Sequence, residues 1–408
     1  MSGFRCIIWS AAFAVYLFAG ASQALAGDVK SRAIEAINAK DYTGAIKLLE
    51  RASDQNPYDD EIKKLTGQAY AARGWDKANA NDLEGAMSDL KRARVIEPEK
   101  QSDTYLGLGY VAFRLKKYDD ALYYLFDQVY LDPKDGRGHQ VIGEIYYQRG
   151  KLEDSIREWE LALSLMPGDE DVMARLAKAN KELGVEGSFT NRETFYFNIK
   201  YEGEEKRDLG EEVLDTMTRA YSDVGGELDS YPREPVNVIL YTRKQFNDLT
   251  EAPAWSGGVF DGNIRIPIGG GNINREALKA VLYHEYTHSV IHRIVGGRVP
   301  TWLDEGIAQY EEHWVHNQKT SLGRTGLMPL EALDGPFIGL SDPEKAKLAY
   351  MESLSAVQYY VDRFGKYNLS KMLRLLGEGR DLPEAFHDTT GISIRDFEGL
   401  WLNSLRGA

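Results

Sequence analysis

The chain of 408 residues carries 63 acidic against 49 basic side chains, a formal charge of −14 with no run of lysine or arginine, which argues against nucleic acid as a partner. A hydrophobic content of 43% and a mean hydropathy of −0.43 describe a folded soluble protein and exclude a membrane bundle or a disordered tail. The length makes two or three domains the expectation.

The first 26 residues read as a secretory signal peptide. Arg5 precedes the apolar run CIIWSAAFAVYLFAG, and Ala24-Leu25-Ala26 fits a small-residue cleavage site. The competing reading is an uncleaved membrane anchor, because the run approaches the length of a span; cleavage after Ala26 is the expectation. Cys6, the only cysteine, lies ahead of the run and is lost with it, so neither disulfides nor thiolate ligands contribute to the mature chain. A cysteine-free exported protein suits a bacterial periplasm.

A repeat follows. The segments DYTGAIKLLERASDQNP, DLEGAMSDLKRARVIEP, KYDDALYYLFDQVYLDP and KLEDSIREWELALSLMP each place a small residue (Ala45, Ala86, Ala121, Ser155) 12 positions before a proline (Pro57, Pro98, Pro133, Pro167). The helix before each of the last three carries a marker glycine, read as Gly67, Gly109 and Gly143. The longer first interval is assigned to seven extra residues in GWDKANANDLEG. These residues resemble the tetratricopeptide repeat, with paired helices, small residues where helices cross and proline after the second helix. The resemblance covers residues 27–184, about four repeats and a closing helix in DEDVMARLAKANKELG. It implies an all-α solenoid whose groove takes a protein partner. Tyr105, Tyr110, Tyr123, Tyr124, Tyr146 and Tyr147 are read as inter-helix packing, with the groove as the other possibility.

Residues 185–193 read as a linker, and 194–408 as an α+β domain with a mostly helical C-terminal part. TFYFNIKYEG alternates like a strand with Phe195, Phe197 and Ile199 on one face. A helix from about Lys206 to Val224, the strand PVNVILYT and the short helix RKQFNDLT come next. GGVFDGNIRIPIGG is a hairpin turning at Asp261-Gly262. Pro267 has no N–H for a ladder, which predicts a sheet edge where an extended substrate could add as a strand.

ALKAVLYHEYTHSVIHRIV, Ala277 to Val295, is one helix. Ala277, Val281, His284, His288, Ile291 and Val295 share its apolar face, and burying two histidines there needs compensation. His284-Glu285-Tyr286-Thr287-His288 is the H-E-x-x-H pattern, whose histidines one turn apart reach one metal ion while Glu285 projects beside them. VPTWLDEGIAQYEE opens a second helix, with Thr301 and Asp304 at capping-box spacing and Glu305 in its first turn. Returning after a short connection, it can bring Glu305 to the histidines. His284, His288 and Glu305 then form a His₂Glu catalytic zinc site with one open position, ligands that suit Zn²⁺ better than Mg²⁺ or Ca²⁺.

VLYHEYTHSVIH followed by VPTWLDEGIAQYEE resembles the gluzincin metallopeptidases, in particular the bacterial peptidase MA-like family, over about Phe195 to Trp401. The resemblance implies His284, His288 and Glu305 as zinc ligands and Glu285 as general base. LAYMESLSAVQYYVDRFG resembles that family's helix with an early tyrosine, which implies Tyr350 as donor to the oxyanion; Tyr310, Tyr359 and Tyr360 are rival phenols. Ile294 stands where a metzincin has its third histidine, and Gln309 where thermolysin-like enzymes have a histidine-orienting aspartate, so that orienting role is unassigned. His292, His313 and His316 read as surface or supporting residues. The tail from Lys371 reads as three short helices.

The expected function is an exported zinc metalloendopeptidase whose repeats recruit a protein client. The alternative is a periplasmic adaptor or assembly factor with an inactive or structural metal domain; a zinc aminopeptidase is disfavoured because no amine-binding acidic motif is visible.

Overall fold

The computed structural model describes residues 24–97, 99–203, 206–250, 252, 256–269, 274–296, 299–316, 327–335, 337 and 343–407. The expected signal segment lies outside these residues except for its last three. The chain divides into two compact units, one of Met1–Tyr147 with Glu153–Ala177 and one of Gln148–Leu152 with Lys178–Ala408.

The first unit is built from helices in sequence-adjacent pairs: α1 (Ala24–Asn38) with α2 (Tyr42–Gln55), α3 (Asp60–Asn79) with α4 (Leu83–Ile96), α5 (Ser102–Arg114) with α6 (Tyr118–Leu131), and α7 (Arg137–Gln148) with α8 (Leu152–Leu165). The array is tetratricopeptide-like. Ala45, Ala86, Ala121 and Ser155 are wholly buried, as small residues at helix crossings should be. One turn after each of the last three, a large side chain presses on a glycine of the preceding helix. A Cβ on Gly74 would meet Leu90 Cγ at 2.8 Å, on Gly109 Leu125 Cγ at 2.5 Å, and on Gly143 Trp159 Cδ1 at 2.5 Å.

This corrects the expected register. Gly74, and not Gly67, is the equivalent of Gly109 and Gly143; Gly67 faces Glu97 instead. The extra residues therefore lengthen the start of α3, which has 20 residues against 13 in α5 and 12 in α7, and do not lie in the turn after Gly74. Five of the six tyrosines pack: Tyr105 and Tyr147 are buried, and Tyr110, Tyr124 and Tyr146 lie against the core. Tyr123 is 61% exposed.

The second unit holds a five-stranded sheet in the order β1-β2-β3-β5-β4. The strands are β1 (Phe189–Glu193), β2 (Phe197–Glu202), β3 (Val236–Thr242), β4 (Val259–Phe260) and β5 (Ile264–Ile268). β2, β3 and β5 run parallel, and β1 and β4 are antiparallel edges. The parallel strands are covered on both faces, as such sheets require. On one side Phe197, Ile199, Val238, Leu240, Ile264 and Ile266 join the main core with α10 (Arg207–Leu228) and α12 (Arg275–Val295). On the other, Ile239 and Tyr241 pack with Phe246 of α11 (Arg243–Leu249) and Val185 of α9 (Glu170–Glu186). The helices α13 (Thr301–His316), α14 (Pro343–Phe364), α15 (Lys366–Gly377), α16 (Leu382–Thr390) and α17 (Ile394–Gly407) complete the unit.

Three expectations change here. The supposed linker 185–193 is the end of α9 and then β1, paired with β2 from Phe189↔Glu202 to Glu193↔Asn198. An edge strand with a mostly solvated face has polar residues and so resembles a linker. Phe195 precedes β2 and is 76% exposed, not part of the buried face. β5 lies inside the sheet order, but β4 pairs only with Ile264 and Arg265, so among the described residues no strand covers Ile266–Ile268, with Pro267, on that side.

Arg265, the polar residue of β5, is 1% exposed. It meets Glu182 at 2.9 Å, Asp261 at 3.1 Å and Glu186 at 3.6 Å, and donates to the Tyr241 hydroxyl at 2.6 Å. Burial opposes the charge on Asp261, yet Arg265 and Lys178 outweigh it and hold its carboxyl down at about 2. Removing one partner of a buried charge cluster strands the others. Arg265→Ala should therefore destabilise the second unit by about 3–5 kcal/mol, read by urea denaturation; an unchanged midpoint would contradict this role.

Candidate metal centre

The centre is made by two consecutive helices of the main core. α12 starts with Asn274 accepting from Ala277 N and ends at Gly296 in the left-handed region (φ 64°). It is buried on nearly every side and not on one stripe: Leu278, Leu282, Tyr286, Val290 and Ile291 are all core residues, while Ala277 and Val281 are only half-buried. α13 is driven inward by Trp302, Leu303 and Ile307. Next to Glu305, Gly306 has no room for a side chain, since a Cβ would meet Ser353 O of α14 at 2.5 Å; α14 thereby approaches the site.

His284, His288 and Glu305 come together as expected. The two Nε2 atoms face each other at 3.1 Å, and Glu305 Oε2 lies 3.4 Å from that of His284 and 3.5 Å from that of His288. The outer nitrogens are spoken for: His284 Nδ1 is 3.1 Å from Glu312 Oε2, and His288 Nδ1 is 2.9 Å from Asp304 Oδ1. A carboxylate accepts only, so both Nδ1 atoms must carry the proton they donate. Neutral imidazoles in that tautomer turn two Nε2 lone pairs toward Glu305 Oε2, a buried oxygen that accepts no hydrogen bond from the described residues. Three acceptors converging without a proton between them is an arrangement a cation resolves.

The titration of the groups follows the same logic. In the protein alone, protons supply the positive charge. Burial pushes His284 down, but Glu305 and Glu312 outweigh it and hold it up at about 9. His288 is raised against the same desolvation by Asp304 and Glu305. Glu305, although burial opposes its charge, is held down at about 2 by the two imidazoles. A second trio, His288, His292 and Asp304, also has ligand spacing, but it is self-satisfied: Asp304 accepts from His288 Nδ1 and, at 2.9 Å, from His292 Nε2. The first trio is the one whose donor set calls for a metal.

Asp304 and Glu312 are the histidine-orienting residues that the sequence left unassigned. Asp304 does not serve the expected capping box with Thr301; the Thr301 N–H is met at 3.2 Å by Asp334 Oδ1, leaving Asp304 to turn into the core. Glu312 follows Glu305 by seven residues, two helical turns, on one face. That spacing was the available signal.

Glu285 is buried on α12, with its carboxyl raised by burial while His284 and His288 pull the other way. Tyr350, on α14, has its phenol pushed up first by burial and then by the charges of Glu305 and Glu285, and its ring packs edge-on against Phe337 at 5.2 Å. The rival phenols lie elsewhere. Tyr360 donates to Thr389 Oγ1, Tyr359 packs on Phe397, and Tyr310 sits against Lys366. His292 is half-buried on Asp304; the side chains of His313 and His316 fall outside the described residues.

Fold and site together define a chain of two modules, an array of paired helices and an α+β domain in which His284, His288 and Glu305 stand at metal-ligand spacing. Residues 215–407 match the family model of the Peptidase MA superfamily, a span that contains the whole centre. A curated relative, the Hsp70-Hsp90 organizing protein of Triticum aestivum, is 25% identical over 130 residues, 32% of this chain and 20% of that protein. Hsp70-Hsp90 organizing protein 1 of Glycine max is 23% identical over 128 residues, 31% of this chain and 20% of that protein. The chain thus spans about a fifth of the length of these relatives. Similar solved structures include MamA (AMB-1), at 20% identity over 39% of this chain and 82% of that one with a TM-score of 0.31. Another is TTC0263, a thermophilic TPR protein in Thermus thermophilus, at 20% identity over 38% and 98% with a TM-score of 0.26.

Partners that orient metal-binding histidines are worth about 10–100-fold in metal affinity. Asp304→Ala should weaken zinc binding by about that factor in competition with a chromogenic chelator; wild-type affinity in this variant would rule out the orienting role.

Proposed function

We propose that the protein is an exported zinc metalloendopeptidase, bacterial and periplasmic, whose repeats recruit a protein client for cleavage. The observation that carries this reading is the convergence of His284 Nε2, His288 Nε2 and Glu305 Oε2 beside the buried Glu285. His284, His288 and Glu305 would hold one zinc ion, which when bound supplies a Lewis acid for a peptide carbonyl and makes water a stronger acid.

The chain's own groups do the remaining work. The Glu285 carboxylate takes a proton from the attacking water and returns it to the leaving amine. Burial raises its affinity for protons, the direction that favours a group taking one up. Tyr350, whose phenol is held protonated by burial and by two nearby carboxylates, donates a hydrogen bond to the oxyanion as charge develops. Asp304 and Glu312 keep the imidazoles in the one tautomer that leaves both Nε2 atoms free. Among the described residues no strand pairs with Ile266–Ile268 beyond β4, and this is the edge at which an extended peptide would add as a strand. Cleavage then follows from a chain laid along that edge toward Glu285.

Export rests on the N-terminal charge and apolar pattern, and client recruitment on the repeats. Localising a tagged full-length chain to the soluble periplasmic fraction tests the first; retention in the cytoplasm or in the membrane would refute it.

Glu285→Gln should leave zinc bound and reduce cleavage of labelled casein at least about 10²-fold. Tyr350→Phe should lower kcat by about 10²–10³ with little change in KM. Glu285→Gln cleaving at the wild-type rate would sink the mechanism.

A further inference from the structure

Glu285 is buried on α12, and one flank of its side chain lies in contact with the chain just ahead of β4. The contact comes from a stretch of chain to which none of the roles above extends. Gly257 and Gly258 pass over α12 with bare Cα atoms. A Cβ on Gly257 would meet Val281 Cγ2 at 2.9 Å; one on Gly258 would meet Glu285 Oε1 at 2.8 Å, Glu285 Cγ at 2.9 Å and Ile266 Cδ1 at 3.0 Å. Val281 and Glu285 are one helical turn apart, so the two glycines cover successive rungs of one face.

This stretch is fixed from both sides. Arg243, the first residue of α11, donates from Nη1 to the Ser256 carbonyl at 2.7 Å. The buried Ser256 hydroxyl donates to the Gly258 carbonyl at 2.5 Å. Directly afterwards the chain enters β4, where Val259 pairs with Arg265, itself anchored in the buried charge cluster. The wall against Glu285 is therefore backbone with little freedom to yield, and a glutamate side chain otherwise free to change rotamer is confined by it.

We propose that Gly258, set in place by Ser256 and Arg243, is a positioning residue for Glu285: its bare Cα is the wall that aims the carboxylate of the base. The inference rests on the reading of Glu285 as base in a zinc site. It predicts that any side chain at 258 acts by moving Glu285. Misplacing a reacting group by about 1 Å costs on the order of 10²-fold, whereas equal crowding at 257 falls on Val281 and leaves the base alone.

The test uses the full chain loaded with zinc and four variants: Gly258→Ala, Gly257→Ala, Glu285→Gln and the double Glu285→Gln/Gly258→Ala. Zinc content, thermal midpoint and affinity for acetohydroxamic acid are measured. The acid binds the metal and passes its hydroxyl proton to a neighbouring base, so its affinity reports where the carboxylate stands without requiring a known substrate. Gly258→Ala should keep its zinc and its midpoint yet bind the hydroxamate roughly ten- to a hundredfold more weakly, as Glu285→Gln does. The double variant should be no weaker than Glu285→Gln alone, since both changes remove one interaction, and Gly257→Ala should bind like wild type. Wild-type affinity in Gly258→Ala, or losses that add in the double variant, would overturn the assignment. A wild-type chain that takes up no zinc would instead remove the metal reading, and this inference with it.

Discussion

Two imidazole lone pairs and a carboxylate oxygen pointing at one another are unstable without positive charge between them, and the second unit is organised around that constraint. His284 and His288 are prevented from relieving it by changing tautomer, because Glu312 and Asp304 hold the protons on the outer nitrogens. Glu305 Oε2 accepts no hydrogen bond from the described residues. In the protein alone the strain is met by binding extra protons, which is why both histidines are raised despite desolvation. A divalent cation does the same with one ion and leaves the buried Glu285 beside it.

The surrounding fold keeps this arrangement from relaxing. α12 is packed all round, α13 is held inward by Trp302, Leu303 and Ile307, and α14 reaches the site because Gly306 has no side chain. On the far face of the sheet, Arg265 and its carboxylates fix β5, whose opposite face presents Ile266 next to Gly258 and Glu285. The charge cluster and the candidate centre are thus on opposite sides of one strand. Interiors packed at this density transmit displacement and do not absorb it.

Much of this is readable from residues. The convergence of His284, His288 and Glu305, the place of Glu285 beside them and the helix bearing Tyr350 follow from helical spacing and family resemblance, and the paired helices follow from small residues recurring before prolines. What escapes has identifiable causes. The spacing of Asp304 to Thr301 fits a cap, while the cap is supplied by Asp334, distant in sequence. β1 resembles a linker because an edge strand shows its polar face. Gly67 passes for the marker of the second repeat, since one glycine in a long helix looks like another until Leu90 is seen pressing on Gly74. Gly258 carries no signal at all: its role is an absence of atoms beside a residue 27 positions away.

The central claim is that His284, His288 and Glu305 bind one zinc ion. Elemental analysis of the purified chain beside His284→Ala tests it most directly. The account predicts about one zinc per wild-type chain and its loss in the variant. A wild-type chain that holds no zinc and takes up none when it is added would contradict it.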